Sequence, residues 1–104
     1  ILGLNHYLTS DRFLDDRLDG FAEPPPRVGF HDVEAVRVLD PPAPGLAGVL
    51  RESWERYRLP LAVTESHLGC TREEQLRWLA QSWAQCQALK AEGIDIRALT
   101  AWAL

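Results

Sequence analysis

Three places in this 104-residue sequence set polar or aromatic side chains directly behind a short apolar run. Asn5, His6 and Tyr7 follow Ile1-Leu2-Gly3-Leu4, and Glu65, Ser66 and His67 follow Leu61-Ala62-Val63-Thr64. Trp102 stands near the end of a third run, IRALTAWAL. The types suit one another. A carboxylate serves as nucleophile or proton carrier, a phenol or an amide donates hydrogen bonds, and an indole offers a flat apolar platform. A carboxylate that closes an apolar strand needs a partner if it is to stay charged in a partly dry place. Alone, Glu65 reads more readily as a helix cap or an arginine partner. The matching positions of Asn5, Tyr7 and Trp102 favour a site, because neighbouring strands would bring all four together.

Those groups need strands to carry them and helices to order the strands. Residues 1–5 read as a strand buried on both faces. Residues 10–21 have weak helical spacing, and Glu23-Pro24-Pro25-Pro26 breaks any element. Residues 31–39 alternate partly, as a short edge strand would, and Asp40-Pro41-Pro42-Ala43-Pro44-Gly45 reads as linker. So long a connection inside a domain tends to be functional, and residues 8–45 are expected to form an elaborated loop. Residues 46–58 predict a helix with an apolar stripe of Leu46, Val49, Leu50, Ser53, Trp54 and Tyr57, and a Glu52–Arg56 pair on the wet face. Pro60 stops it.

A strand then runs from Leu61 into Glu65. Thr71-Arg72-Glu73-Glu74 has the form of a capping box, which opens a second helix. Its expected stripe is Leu76, Leu79, Ala80, Trp83, Cys86 and Gln87, and Gly93 suits a left-handed stop. The order strand, long loop, helix, strand, helix, strand implies an α/β fold with parallel strands. No glycine-rich phosphate loop follows any strand, which disfavours a flavodoxin-like or other doubly wound nucleotide-binding module. A partial TIM (β/α)8 barrel is the expected architecture.

Composition narrows the partners. Fifteen acidic residues against eleven basic give a formal charge of −4, and no basic cluster is present. Nucleic acid and anionic membranes are therefore not expected partners. No apolar run approaches the ~20 residues of a membrane helix. Two cysteines, Cys70 and Cys86, are too few for a disulfide scaffold, and a reducing, cytoplasmic setting is expected. His67, Cys70 and Cys86 lack the paired spacing of a zinc site, and the two cysteines read as buried thiols, so no metal is expected. Asp32 and Glu34 read as solvated charges. His6 and His31 carry no reading of their own. The chain has no Met and its two ends are apolar, which points to a piece of a longer protein.

The order of motifs resembles the C-terminal third of family 1 glycoside hydrolases, retaining β-glycosidases on a (β/α)8 barrel. Gly3-Leu4-Asn5-His6-Tyr7 is similar to that family's sixth-strand G-(I/L)-N-Y-Y pattern. Pro60-Leu61-Ala62-Val63-Thr64-Glu65 is similar to the seventh-strand signature around the nucleophile, P-(I/L)-x-(I/V)-T-E-N-G. Residues 45–60 resemble the sixth helix. Glu92-Gly93-Ile94-Asp95-Ile96 with Ala101-Trp102-Ala103-Leu104 resembles the approach to the eighth strand. The resemblance implies strands six to eight of one barrel, whose remainder lies upstream and downstream of residues 1–104.

It further implies Glu65 as nucleophile, and Tyr7 as the donor that holds and aims it. Asn5, Trp102 and His67 would bind a carbohydrate substrate, and no cofactor is called for. The family's acid/base glutamate, in an N-E-P motif on the fourth strand, falls outside these residues. Such enzymes hold their two carboxyls about 5–5.5 Å apart. Ser66-His67 stands where the family has Asn-Gly, and Ala103 where it has Ser. Thr64-Glu65-Ser66-His67 also resembles barrel domains fused to reductases of the dTDP-4-dehydrorhamnose type. That likeness leaves a non-catalytic carbohydrate-binding domain as the alternative. Residues 1–104 by themselves are expected to be inactive.

Overall fold

The computed structural model describes residues 1–17 and 29–102. The polyproline stretch at 23–26 and residues 103 and 104 lie outside them. The chain divides into two compact units, one of residues 1–7 with 44–104 and one of residues 8–43.

The larger unit holds strand β1 (Leu2–Asn5), helix α1 (Gly45–Tyr57), strand β4 (Leu61–Ser66), helix α2 (Arg72–Ala91) and strand β5 (Ile96–Ala101). Strands β2 (Arg12–Asp15) and β3 (His31–Glu34) belong to the smaller unit. The order in the sheet is β1-β4-β5, and both pairings are parallel. This is an α/β arrangement in which each new strand is added beside the last. The core lies between the helices and one face of the sheet: Leu46 and Leu50 of α1 and Cys86 and Leu89 of α2 pack with Leu61, Val63 and Ile96. Leu2, Leu4 and Leu99 join from the two outer strands.

Strand β1 is not buried on both faces, as its apolar run suggested. Leu2 and Leu4 are half-buried towards the core while Gly3 and Asn5 are exposed. Central position explains the contrast with β4, where Leu61, Ala62 and Val63 are all buried. Side chains alternate along a strand, so an edge strand covered on one side keeps the two-residue period.

Helix α1 ends on Arg58, left-handed at φ 52°, whose amide bonds the Trp54 carbonyl at 2.9 Å. Leu46 and Leu50 are buried and Trp54 packs against them, whereas Tyr57, expected in the same stripe, is exposed. The Glu52–Arg56 pair closes at 2.8 Å on the wet face. Helix α2 opens on the capping box: the Glu74 amide donates to the Thr71 hydroxyl at 3.4 Å, and the Glu74 carboxylate accepts from the Thr71 amide at 3.3 Å. Past its end, Gly93 takes φ 94°, a conformation that glycine adopts without steric cost.

The buried line of α2 differs from the expected stripe. Trp78, Ser82, Cys86 and Leu89 turn inward, while Leu76 and Trp83 are each 55% exposed. Apolar residues occupy two sides of this helix, so periodicity has no unique solution there. The position of α1 and the sheet selects one of them.

Within the stretch 8–45, expected as an elaborated loop, residues 8–43 contain an antiparallel pair, and its second strand falls in the segment 31–39 that alternates as a short edge strand would. β2 (Arg12–Asp15) runs against β3 (His31–Glu34), with Asp15 opposite His31, and one 3-10 turn follows at Ala35–Arg37. The weak helical spacing over residues 10–21 is therefore not realised at 12–15. Cross-strand bonding and the fork of Arg17 onto the buried Asp15, at 2.8 and 2.6 Å, fix an extended backbone there instead. Among the described residues no helix is long and apolar enough to cross a membrane.

Candidate functional site

The C-terminal ends of β1, β4 and β5 lie side by side. Asn5 pairs in register with Glu65, and Ser66 pairs with Ala101. The register slips between Leu4 and Asn5, and again between Val63 and Ser66. Such irregularities re-aim side chains at a sheet's edge. The Trp102 amide bonds the Ser66 carbonyl at 3.2 Å, which carries the row across to the third strand.

Two contacts organise this edge. The Tyr7 hydroxyl donates to Oε2 of Glu65, bridging residues 58 apart in sequence. Beside it, the Thr64 hydroxyl donates to Oδ1 of Asn5. Tyr7 and Glu65 are both half-buried. The bond to Glu65, then desolvation and the negative charge of Glu65, hold the Tyr7 phenol above its ordinary pKa, so it keeps its proton beside the anion. Oε1 of Glu65 has no hydrogen-bond partner among the described residues. One carboxylate oxygen is thus anchored and the other is open to a ligand.

His67 and Trp102 sit elsewhere on the same edge. With Ser66, Arg72, Gln75 and Leu79 they line a groove of about 430 Å³ between the strand ends and the first turns of α2. The structure therefore sorts the five expected site residues into two groups. Tyr7, Glu65 and Asn5 gather around the β1–β4 junction, and His67 and Trp102 face the groove by α2. Trp102 is 54% exposed.

Sequence reasoning passes over two residues. Thr64 has no role of its own in the sequence motifs, although a hydroxyl one position before the carboxylate is a signal. Ser66 is 5% exposed, and its buried hydroxyl finds no partner among the described residues. His67, Cys70 and Cys86 do not cluster: Cys86 is buried in the core, where desolvation raises its thiol pKa, whereas Cys70, expected to be buried too, is exposed. Among the described residues no three His, Cys, Asp or Glu side chains are grouped to hold a metal ion.

Neither a protein-family profile nor a curated protein matches the chain.

Proposed function

We propose that the chain is part of a retaining β-glycosidase-like hydrolase acting on O-glycosides, to which it supplies the nucleophile. The observation that carries this reading is the hydrogen bond from Tyr7 to Glu65 across the ends of two adjacent parallel strands. It leaves one oxygen of a half-buried carboxylate held and the other unoccupied by protein among the described residues. A nucleophile for an anomeric carbon needs that combination of fixed aim and a free lone pair.

The sheet order supports the architectural half of the proposal. Strands are added in one direction while both helices cover the same face. A (β/α)8 barrel is wound in that way, whereas a doubly wound sheet places helices on both faces. In a barrel, the C-terminal strand ends form the catalytic rim.

On this reading Glu65 attacks the anomeric carbon and the glycosidic oxygen leaves, protonated by a second carboxyl group outside this chain. Water then cleaves the glycosyl ester, returning Glu65 as the free carboxylate. Tyr7 stays a donor throughout. Asn5, Trp102 and His67 contribute polar and aromatic contacts to the sugar.

The test is Glu65→Gln in the full-length protein that contains this chain, assayed on an aryl β-glycoside. Turnover is expected to fall by several orders of magnitude, with the far-ultraviolet spectrum unchanged. Turnover equal to that of the unsubstituted protein sinks the proposal. Saccharide binding by a protein that never turns over glycosides points instead to the carbohydrate-binding domain.

A further inference from the structure

Thr64 stands at the centre of an arrangement that the nucleophile does not explain. Its hydroxyl donates to Oδ1 of Asn5, which pairs with Glu65 in the strand register. The amide nitrogen of Asn5 has no partner among the described residues, and the side chain is exposed. With its oxygen engaged by Thr64, the amide keeps both N–H donors for a ligand, beside the one lone pair left on the oxygen.

Gly3 completes the arrangement. A Cβ built at Gly3 would lie 3.0 Å from Cγ2 of Thr64. Threonine is stiff about χ1, so that methyl could not swing aside without moving the hydroxyl as well. The missing side chain at Gly3 is what lets Thr64 hold its rotamer.

We infer that Thr64 is a positioning residue, seated against Gly3, which fixes the amide orientation of Asn5. The site thereby offers two hydrogen-bond donors beside Glu65 to an acceptor oxygen of the ligand, such as a sugar hydroxyl. The orientation itself stands on geometry, and its use on a glycoside rests on the function proposed above.

Asn5 is the one asparagine in the chain, so asparagine-specific isotope labelling gives a single side-chain amide pair in the nuclear magnetic resonance spectrum. At low chain concentration that pair is expected to be well separated. It should collapse towards the position of a solvated asparagine in Thr64→Val, and return in Thr64→Ser. Gly3→Ala should shift it as Thr64→Val does. An amide pair unmoved by Thr64→Val overturns the inference, as does a Thr64→Ser spectrum resembling that of Thr64→Val.

In the full-length protein with p-nitrophenyl β-glucoside, Thr64→Val should lower kcat/KM about fivefold, the worth of one orienting hydrogen bond, with Thr64→Ser close to the unsubstituted protein. An unchanged kcat/KM with a shifted amide overturns the role on the ligand. If the unsubstituted protein turns over no glycoside, the functional reading fails while the amide spectrum still decides the geometry.

Discussion

At the scale of single residues, the Tyr7–Glu65 pair has the most direct consequence in solution. The phenol is held above its ordinary value, so the stabilisation it provides is present below about pH 10 and fades as pH rises through the raised value. Tyr57→Phe leaves Tyr7 as the chain's only tyrosine. In that background the tyrosinate absorbance should titrate above the free phenol, and adding Glu65→Gln should bring the midpoint down. A midpoint indifferent to Glu65→Gln would mean that the two side chains do not meet in solution. The residue types at this edge were legible in sequence because Asn5, Tyr7 and Glu65 each close an apolar run. The partnership of Thr64 with Asn5 was not, since it depends on a register slip between β1 and β4 that no local pattern encodes.

At the scale of elements, the two helices make opposite demands on small residues and caps. Replacing a helical glycine with alanine ordinarily stabilises by up to about 1 kcal/mol. Gly48 of α1 is an exception, because a Cβ there would fall 2.2 Å from Cβ of Pro44. Gly48→Ala should therefore destabilise by about 1–3 kcal/mol, as overpacking does, read as a lowered urea midpoint. Combining it with Pro44→Gly should recover most of the loss.

At the start of α2, Thr71→Ala removes the cap and should cost about 1 kcal/mol. The Thr71 hydroxyl and amide, in that order, hold the Glu74 carboxyl below the usual carboxylate range. Its contribution is thus complete above the ordinary glutamate value of about 4.3 and is lost as pH falls through the lowered one. Urea midpoints followed into acid should show that loss in the unsubstituted chain and a weaker one in Thr71→Ala. Helix starts and stops were legible because caps are local chemistry. The inward face of α2 was not: Leu76 and Trp83 satisfy the helical period as well as Trp78 and Cys86 do, and only the neighbouring α1 and sheet choose between them.

For the whole molecule, what is left uncovered matters as much as the core. β1 and β5 each have one side without a partner strand among the described residues, and α2 shows Leu76 and Trp83 to solvent. Unpaired strand edges and apolar patches promote association. The 104-residue chain is expected to self-associate with rising concentration in sedimentation experiments, and Leu76→Arg with Trp83→Arg should shift it towards monomer. A chain that stays monomeric at all concentrations would show that these surfaces are tolerated in water.

The amino-acid pattern alone determined that α and β elements alternate, that three strands end at or within one residue of Asn5, Glu65 and Trp102, and where the second helix begins. These are properties of neighbours a few residues apart, set by propensity, capping and alternation. Only the tertiary structure decided that residues 12–15 pair with 31–34, that Thr64 meets Asn5, and that His67 and Trp102 line the groove by α2 while Tyr7 bonds Glu65 at the β1–β4 junction. Each of those depends on strand register and on which face of an element is covered. Segments distant in sequence settle both by meeting.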